Sequence, residues 1–292
     1  MARSIGISEI TPDTLKLFDQ AYMAFYPYLS AYATEEDLRN KRVLEIGLGY
    51  GTLGQFLSSQ GCDYYGLDIA EGPVAMMIYR QQSLGHVATD HFRVGSALDI
   101  PFAEETFDYV YSIGCLHHTG NLPKSIAEVH RVLRPRGRAI IMLYNRYSFR
   151  QLVQIPLQRV LRRLSSSRRL NVAEWKRSMY DRNSAGDAPP FTEFVSRREI
   201  KKLFARFSSA RIDCRNFDTC RFINRHALSL CLRHPHSLFS SKTRRALLQK
   251  ARDENPTQYE SRSKPLIAIP REMLLNSVGR IVGLDLYIVA QK

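Results

Sequence analysis

The chain has 292 residues, of which 44% are hydrophobic and 24% charged, a size and balance that suit one α/β core with an appended region and exclude a disordered or fibrous protein. No run of about 18 apolar residues occurs, and Glu9, Asp13, Lys16 and Asp19 interrupt the stretch a signal peptide would need, so a cytoplasmic protein without a transmembrane helix is expected. The net charge of +14 is unevenly divided: residues 1–144 carry 12 Lys and Arg against 16 Asp and Glu, residues 145–292 carry 30 against 12.

Taken in chain order, residues 12–40 have apolar positions at helical spacing, including Leu15, Phe18, Tyr22, Phe25 and Leu29, and are expected to form a helical cover. Tyr22, Tyr26 and Tyr28 could close a site from above or serve as ordinary core. A short β-type run, residues 42–46, then stops at a glycine cluster and is followed by a helix-compatible segment, 52–59. The pattern repeats with a strand over 62–68, a helix over 73–84 opened by Pro73, and a strand over 91–94. Strands over 107–113 and 139–143 enclose a helix over 122–133, with residues 134–137 as the turn before the second of them. Five strands alternating with helices predict a Rossmann-like, doubly wound, mostly parallel α/β sheet, whose ligand site lies beyond the carboxyl ends of its strands.

The chemistry gathers at those ends. Gly47, Gly49 and Gly51 alternate just after the first strand, where the backbone must turn and approach a ligand without interfering Cβ atoms. Asp68, at the end of the second strand, can accept hydrogen bonds from both hydroxyls of a ribose. Dinucleotide enzymes place a related GxGxxG here, but Thr52 stands at the third glycine and Glu45 would repel a pyrophosphate while suiting an ammonium group.

The segments VLEIGLGYG, GLDI, GSALDIPFAEETFDYVYSIGCLHH and AEVHRVLRPRGRAIIMLYN, in this order across residues 25–146, resemble the motifs of class I methyltransferases that use S-adenosyl-L-methionine (SAM). The resemblance implies that Gly47, Gly49 and Gly51 border the methionine moiety, that Glu45 holds its amino group, and that Asp68 binds the ribose. It further implies that Ile69 packs on the adenine, that Ala97 offers it a backbone N–H, and that Ile113 and Gly114 lie alongside the cofactor. Many relatives carry an acidic residue at the position of Ser96, whose hydroxyl is a weaker acceptor for the adenine amino group. His117 is the candidate general base, set against a reading in which the LHH turn only packs. Cys115 has no identifiable activating partner and reads as a packed small residue.

The second half completes the fold. Ser196 and Glu199 form a capping-box pattern, and strands are expected over 209–214 and 284–290. The resemblance places the last strand antiparallel beside the sixth. The expected organisation is a cover (1–40), a SAM-binding core (41–145), a basic insertion (146–195), a core continuation (196–215), a basic helical insertion (216–282) and the last strand (283–292). In the first insertion, Phe149, Leu152, Val153, Leu157, Val160, Leu161 and Leu164 fall toward one side of a helix kinked near Pro156, either a lid packing that side on the protein or a surface for an anionic membrane. Residues 178–192 read as a gating loop. His226, His234 and His236 have no metal-ligand spacing, and no metal is expected.

These features predict a SAM-dependent methyltransferase acting on a small-molecule acceptor, with anionic, saccharide and lipid-linked compounds as the classes left open by the basic half. A peripheral position at an anionic membrane is compatible with the same charge. A SAM-binding or membrane-associated scaffold without enzymatic activity is the alternative, and an RNA methyltransferase is supported by charge alone.

Overall fold

The computed structural model describes residues 9–26, 28–34, 37–83, 85, 89–157, 159, 177, 180, 189–216 and 279–292. Most of the first insertion and its gating loop, nearly all of the second insertion, and His226, His234 and His236 lie outside the described residues.

Helix α1 (Pro12–Phe25) starts with Thr11 as N-cap, its side chain reciprocating with Thr14 in a capping box, and with Pro12 in the first turn, where a missing N–H costs nothing. It ends early. Pro27 disfavours helical torsions in the residue before it, and Tyr26 adopts φ −116° and ψ 66°. The single helix expected over 12–40 is therefore two, with α2 at Leu29–Thr34.

The core follows as β1 (Arg42–Ile46), α3 (Thr52–Ser58), β2 (Asp63–Asp68), α4 (Glu71–Ser83), β3 (Phe92–Val94), β4 (Phe107–Ile113), α5 (Leu122–Val132), β5 (Leu133–Tyr144), α6 (Arg197–Leu203), β6 (Ser209–Arg215), α7 (Gly279–Val282) and β7 (Asp285–Gln291). The seven strands form one sheet in the order β3-β2-β1-β4-β5-β7-β6. All pairs from β3 to β5 are parallel, and β7 runs antiparallel to both β5 and β6. The chain winds outward from β1 in one direction and returns through β4 to the other, so the crevice opens at the carboxyl ends of β1 and β4.

Alternation along the strands supplies a core on both faces. Leu44 and Ile46 pack with Val110, Val129, Ile141 and Ile288 on one side, while Val43 packs with Tyr109, Tyr111, Ile140 and Tyr287 on the other.

Two expectations are corrected. Residues 134–137 are not a turn before a strand, because β5 begins at Leu133, already paired with Phe107. The step from Phe107 to Tyr109 on β4 is matched by a longer one from Leu133 to Arg138, and the excess is absorbed where Arg136 takes φ +66°. Burial of Leu133 and the 2.9 Å bond from Arg134 to Asp108 hold the irregular start in the sheet.

The start of the first insertion departs more strongly. Arg150–Gln154 is a π-helical turn, closed by the Ile155 amide donating to the Arg150 carbonyl, with helical residues on either side. Its buried positions are Ser148, Arg150, Gln154 and Ile155, whereas Leu152, Val153 and Leu157 are exposed. In this part, the apolar side expected to pack as a lid faces outward.

Candidate cofactor and acceptor site

The turn after β1 carries three glycines with left-handed torsions, and two of them show what the turn requires. At Gly47, with φ +87°, a Cβ would stand 2.5 Å from the Cβ of Cys115. At Gly49, with φ +54°, a Cβ would meet no protein atom within 4 Å, so the turn is bordered there by open space. Cys115 is thus a packing partner of the turn, and burial pushes its thiol up to about 12, away from nucleophilic use.

Asp68 is held at the mouth by its neighbours. The Leu48 amide donates to its Oδ2 at 2.8 Å and the Ala70 amide to its Oδ1 at 2.9 Å. Each oxygen retains capacity for a further donor. Ile69, beside it, is 77% exposed and presents a bare apolar face. Ala97 is buried, and the Ser96 hydroxyl accepts from the Leu98 amide at 3.1 Å. Ile113 and Gly114, at the end of β4, are half-buried.

Glu45 is buried on β1, and its Oε2 accepts from the Tyr64 hydroxyl at 2.6 Å. Burial first, and then the nearby charge of Asp68, push its carboxyl up to about 8, against the opposing effects of the Tyr64 hydrogen bond and the Arg80 charge. Gly54 makes this arrangement possible, since any Cβ there would collide with the Tyr64 hydroxyl. A buried carboxyl with this bias is suited to a ligand cation, which would restore its charged form. The open space at Gly49, the anchored Asp68 and the bare Ile69 fit the remaining parts of a nucleoside with a charged amino-acid tail.

A tie that local sequence pattern does not announce fastens α1 to this turn. Arg80 is buried on α4, and its guanidinium makes two 2.9 Å hydrogen bonds with Asp19 of α1, which also accepts from the Thr52 hydroxyl at 2.7 Å. Its trace in the sequence is Arg80's place on the face that buries Val74 and Met77. Burial of the hydroxyl of Tyr22, on α1 with Asp19, together with the charges of Glu45 and Asp285, raises it well above the usual tyrosine range.

On the far side of β4, rings form a wall. Tyr144, ending β5, lies 4.1 Å from the His117 ring and 4.8 Å from that of Tyr180, which lies 4.8 Å from Phe194. His117 is completely buried, with its carbonyl accepting from the Glu193 amide at 2.8 Å. His118 is less buried, its Nδ1 2.9 Å from the Phe191 carbonyl. The Arg150 guanidinium lies over the Tyr180 ring at 4.8 Å, and Gln151 donates to the Tyr180 hydroxyl at 2.7 Å. Among the described residues no group of three or more His, Cys, Asp or Glu could hold a metal ion, and no helix is long and apolar enough to cross a membrane.

Comparison with known proteins finds methyltransferases. A methyltransferase-domain family model matches residues 44–141. Tocopherol O-methyltransferase of Arabidopsis thaliana is 34% identical over 113 residues, covering 38% of this chain and 32% of its own length. A phthiotriol/phenolphthiotriol dimycocerosates methyltransferase of Mycobacterium leprae is 36% identical over 107 residues, covering 36% of this chain and 38% of its own. The matches therefore span well under half of these relatives. The structure of Haemonchus contortus phosphoethanolamine N-methyltransferase 2 with S-adenosyl-L-methionine superposes with TM-score 0.53 at 15% identity, covering 98% of this chain and 61% of that one, a likeness of fold. Residues 44–141, which hold the glycine turn, Asp68 and the ends of β1 and β4, are thus similar to a methyltransferase domain.

Proposed function

We propose that this chain transfers a methyl group from SAM to a small-molecule acceptor of lipid type. The observation that carries the reading is the pairing of Glu45 and Asp68 at the carboxyl ends of β1 and β2, on either side of a glycine turn bordered by open space. Glu45 receives the ammonium group and Asp68 the ribose hydroxyls, while Ile69 and the Ala97 amide meet the adenine. Ser96 contributes its remaining hydrogen-bonding capacity, and Ile113 and Gly114 line the methyl end. When bound, SAM supplies a methyl group on a sulfonium, already activated for transfer.

The protein's part is then alignment. A wall of Tyr144, Tyr180 and Phe194 orients an apolar acceptor and excludes water, and holding acceptor and methyl carbon in line accounts for much of the catalysis. Burial of His117 between the rings of His118 and Tyr144 supports packing as its role, ahead of proton transfer. The names of the two relatives, which specify tocopherol and phthiotriol dimycocerosates, support a lipid-type acceptor.

Incubation of the protein with methyl-labelled SAM and a cell extract, followed by fractionation, tests the reading. Label is expected in the lipid or small-molecule pool. Label confined to protein or RNA, or no transfer, would contradict it.

A further inference from the structure

The short helix around Arg150–Gln154 has its polarity reversed relative to an ordinary surface helix, which buries apolar side chains and exposes polar ones. Its outer stripe is formed by Leu152, Val153 and Leu157, exposed by 53%, 39% and 45%, with Pro156 between them and the exposed Tyr147 one turn before. Leu152 and Leu157, five apart, fall on one side of a π-helical turn, with Val153 and Pro156 beside them. Across the helix, Ser148, Arg150 and Gln151 meet Tyr180, which packs on Tyr144 at the end of β5, and Gln154, one turn after Arg150, is buried together with Ile155.

Gln154 sharpens the point. It is 1% exposed, yet neither its amide nitrogen nor its carbonyl oxygen has a hydrogen-bond partner. Buried amides are nearly always paired, and one left without a partner, one turn from the Arg150 that covers Tyr180, has capacity for a polar ligand group. The stripe on the other side is an apolar patch in a strongly basic region: residues 146–195 contain ten Lys and Arg against four Asp and Glu. An exposed apolar stripe and an exposed aromatic, in a segment of this basic sequence and with Arg159 exposed just past Leu157, match the chemistry of an anionic lipid surface.

We propose that residues 147–157 seat the protein on an anionic phospholipid bilayer, with Leu152, Val153 and Leu157 entering its apolar layer, and that Gln154 hydrogen-bonds the polar head of an acceptor drawn from that bilayer. Docking stands independently of catalysis, whereas the role of Gln154 rests on the methyltransferase reading. The arrangement explains why one short helix is apolar outside and polar inside: the lipid body and the reacting head of the acceptor lie on its two sides.

Sedimentation with vesicles of phosphatidylcholine mixed with phosphatidylglycerol tests the docking. The wild type is expected to bind at low salt and to release at high salt. The double variant Leu152→Glu, Leu157→Glu should bind at least about tenfold more weakly, with unchanged SAM affinity by calorimetry as the measure of an intact core. Failure of the wild type to bind, or equal binding by both proteins, overturns the proposal; so does a dimer that the double variant abolishes in a wild type that ignores vesicles.

The acceptor role is read by supplying methyl-labelled SAM with a total lipid extract in vesicles. Label should enter lipid, and Gln154→Leu should raise KM for the lipid more than it lowers kcat. Label confined to water-soluble products, or an unchanged KM, overturns that role. A wild type that binds vesicles but not SAM would refute the methyltransferase reading and leave docking intact.

Discussion

The proposed donor and acceptor sides of the crevice are built by opposite means. On the donor side, polar groups are committed to one another and to the backbone: Asp68 to the Leu48 and Ala70 amides, Glu45 to Tyr64, Asp19 to Arg80 and Thr52. On the acceptor side, rings pack on rings, and Gln154 is buried without a partner. On the proposed function, the difference separates a rigid receptor for an invariant cofactor from a surface with polar capacity for a second molecule. It also divides what stability and binding measurements should find.

The largest effect belongs to the donor side. Asp19→Ala strands the buried Arg80 guanidinium, and losing one partner of a buried ion pair costs about 3 kcal/mol, toward the lower end of the usual range because Asp19 is partly exposed. Urea denaturation should show the loss, together with weaker SAM binding, since the same aspartate accepts from Thr52 at the edge of the glycine turn. A loss in the range of a surface pair, below about 1 kcal/mol, would break the distinction between the two sides.

The next prediction concerns pH. The carboxyl of Glu45 is raised to about 8 in the folded protein. Its neutral form therefore contributes stability that is fully present below the ordinary carboxylate range and is lost as pH rises through about 8. SAM binding runs the other way, because the ammonium favours the ionised form: affinity should rise with pH, by up to about tenfold per unit, and level off above about 8, with proton release below that point. Titration in buffers of different ionisation enthalpy checks both. In Glu45→Gln the slope should vanish.

A smaller effect of opposite sign is expected from the acceptor side. Gln154→Leu removes an unpartnered buried amide and should stabilise the protein by about 1 kcal/mol in thermal unfolding. Destabilisation of similar size would show that the amide is satisfied in solution and would blur the comparison.

Legibility followed the same division. The strand–turn–helix units, the glycine turn and the places of Glu45 and Asp68 on their strands are readable because each depends on residues close in sequence: alternating apolar positions and left-handed torsions that favour glycine. The capping box at Ser196 and Glu199 was readable for that reason too. Long-range partners were not. Nothing near Glu45 announces Tyr64, and Asp19 and Arg80 meet only because α1 lies across α3 and α4. The continuation of β5 through residues 134–137 was hidden because Arg–Pro–Arg–Gly has turn chemistry, while pairing of Leu133 with Phe107 decides the outcome. The apolar stripe over 152–157 was seen, but its direction is set by the tertiary packing of the π-helical turn, which local spacing does not encode.

Calorimetric titration of SAM into the wild type and Asp68→Ala tests the donor site most directly. The site described here predicts binding by the wild type and a loss of about 2 kcal/mol, roughly thirtyfold, in the variant, as ribose partners and the anchor of the Leu48 and Ala70 amides disappear together. Equal affinity in the two proteins would contradict it.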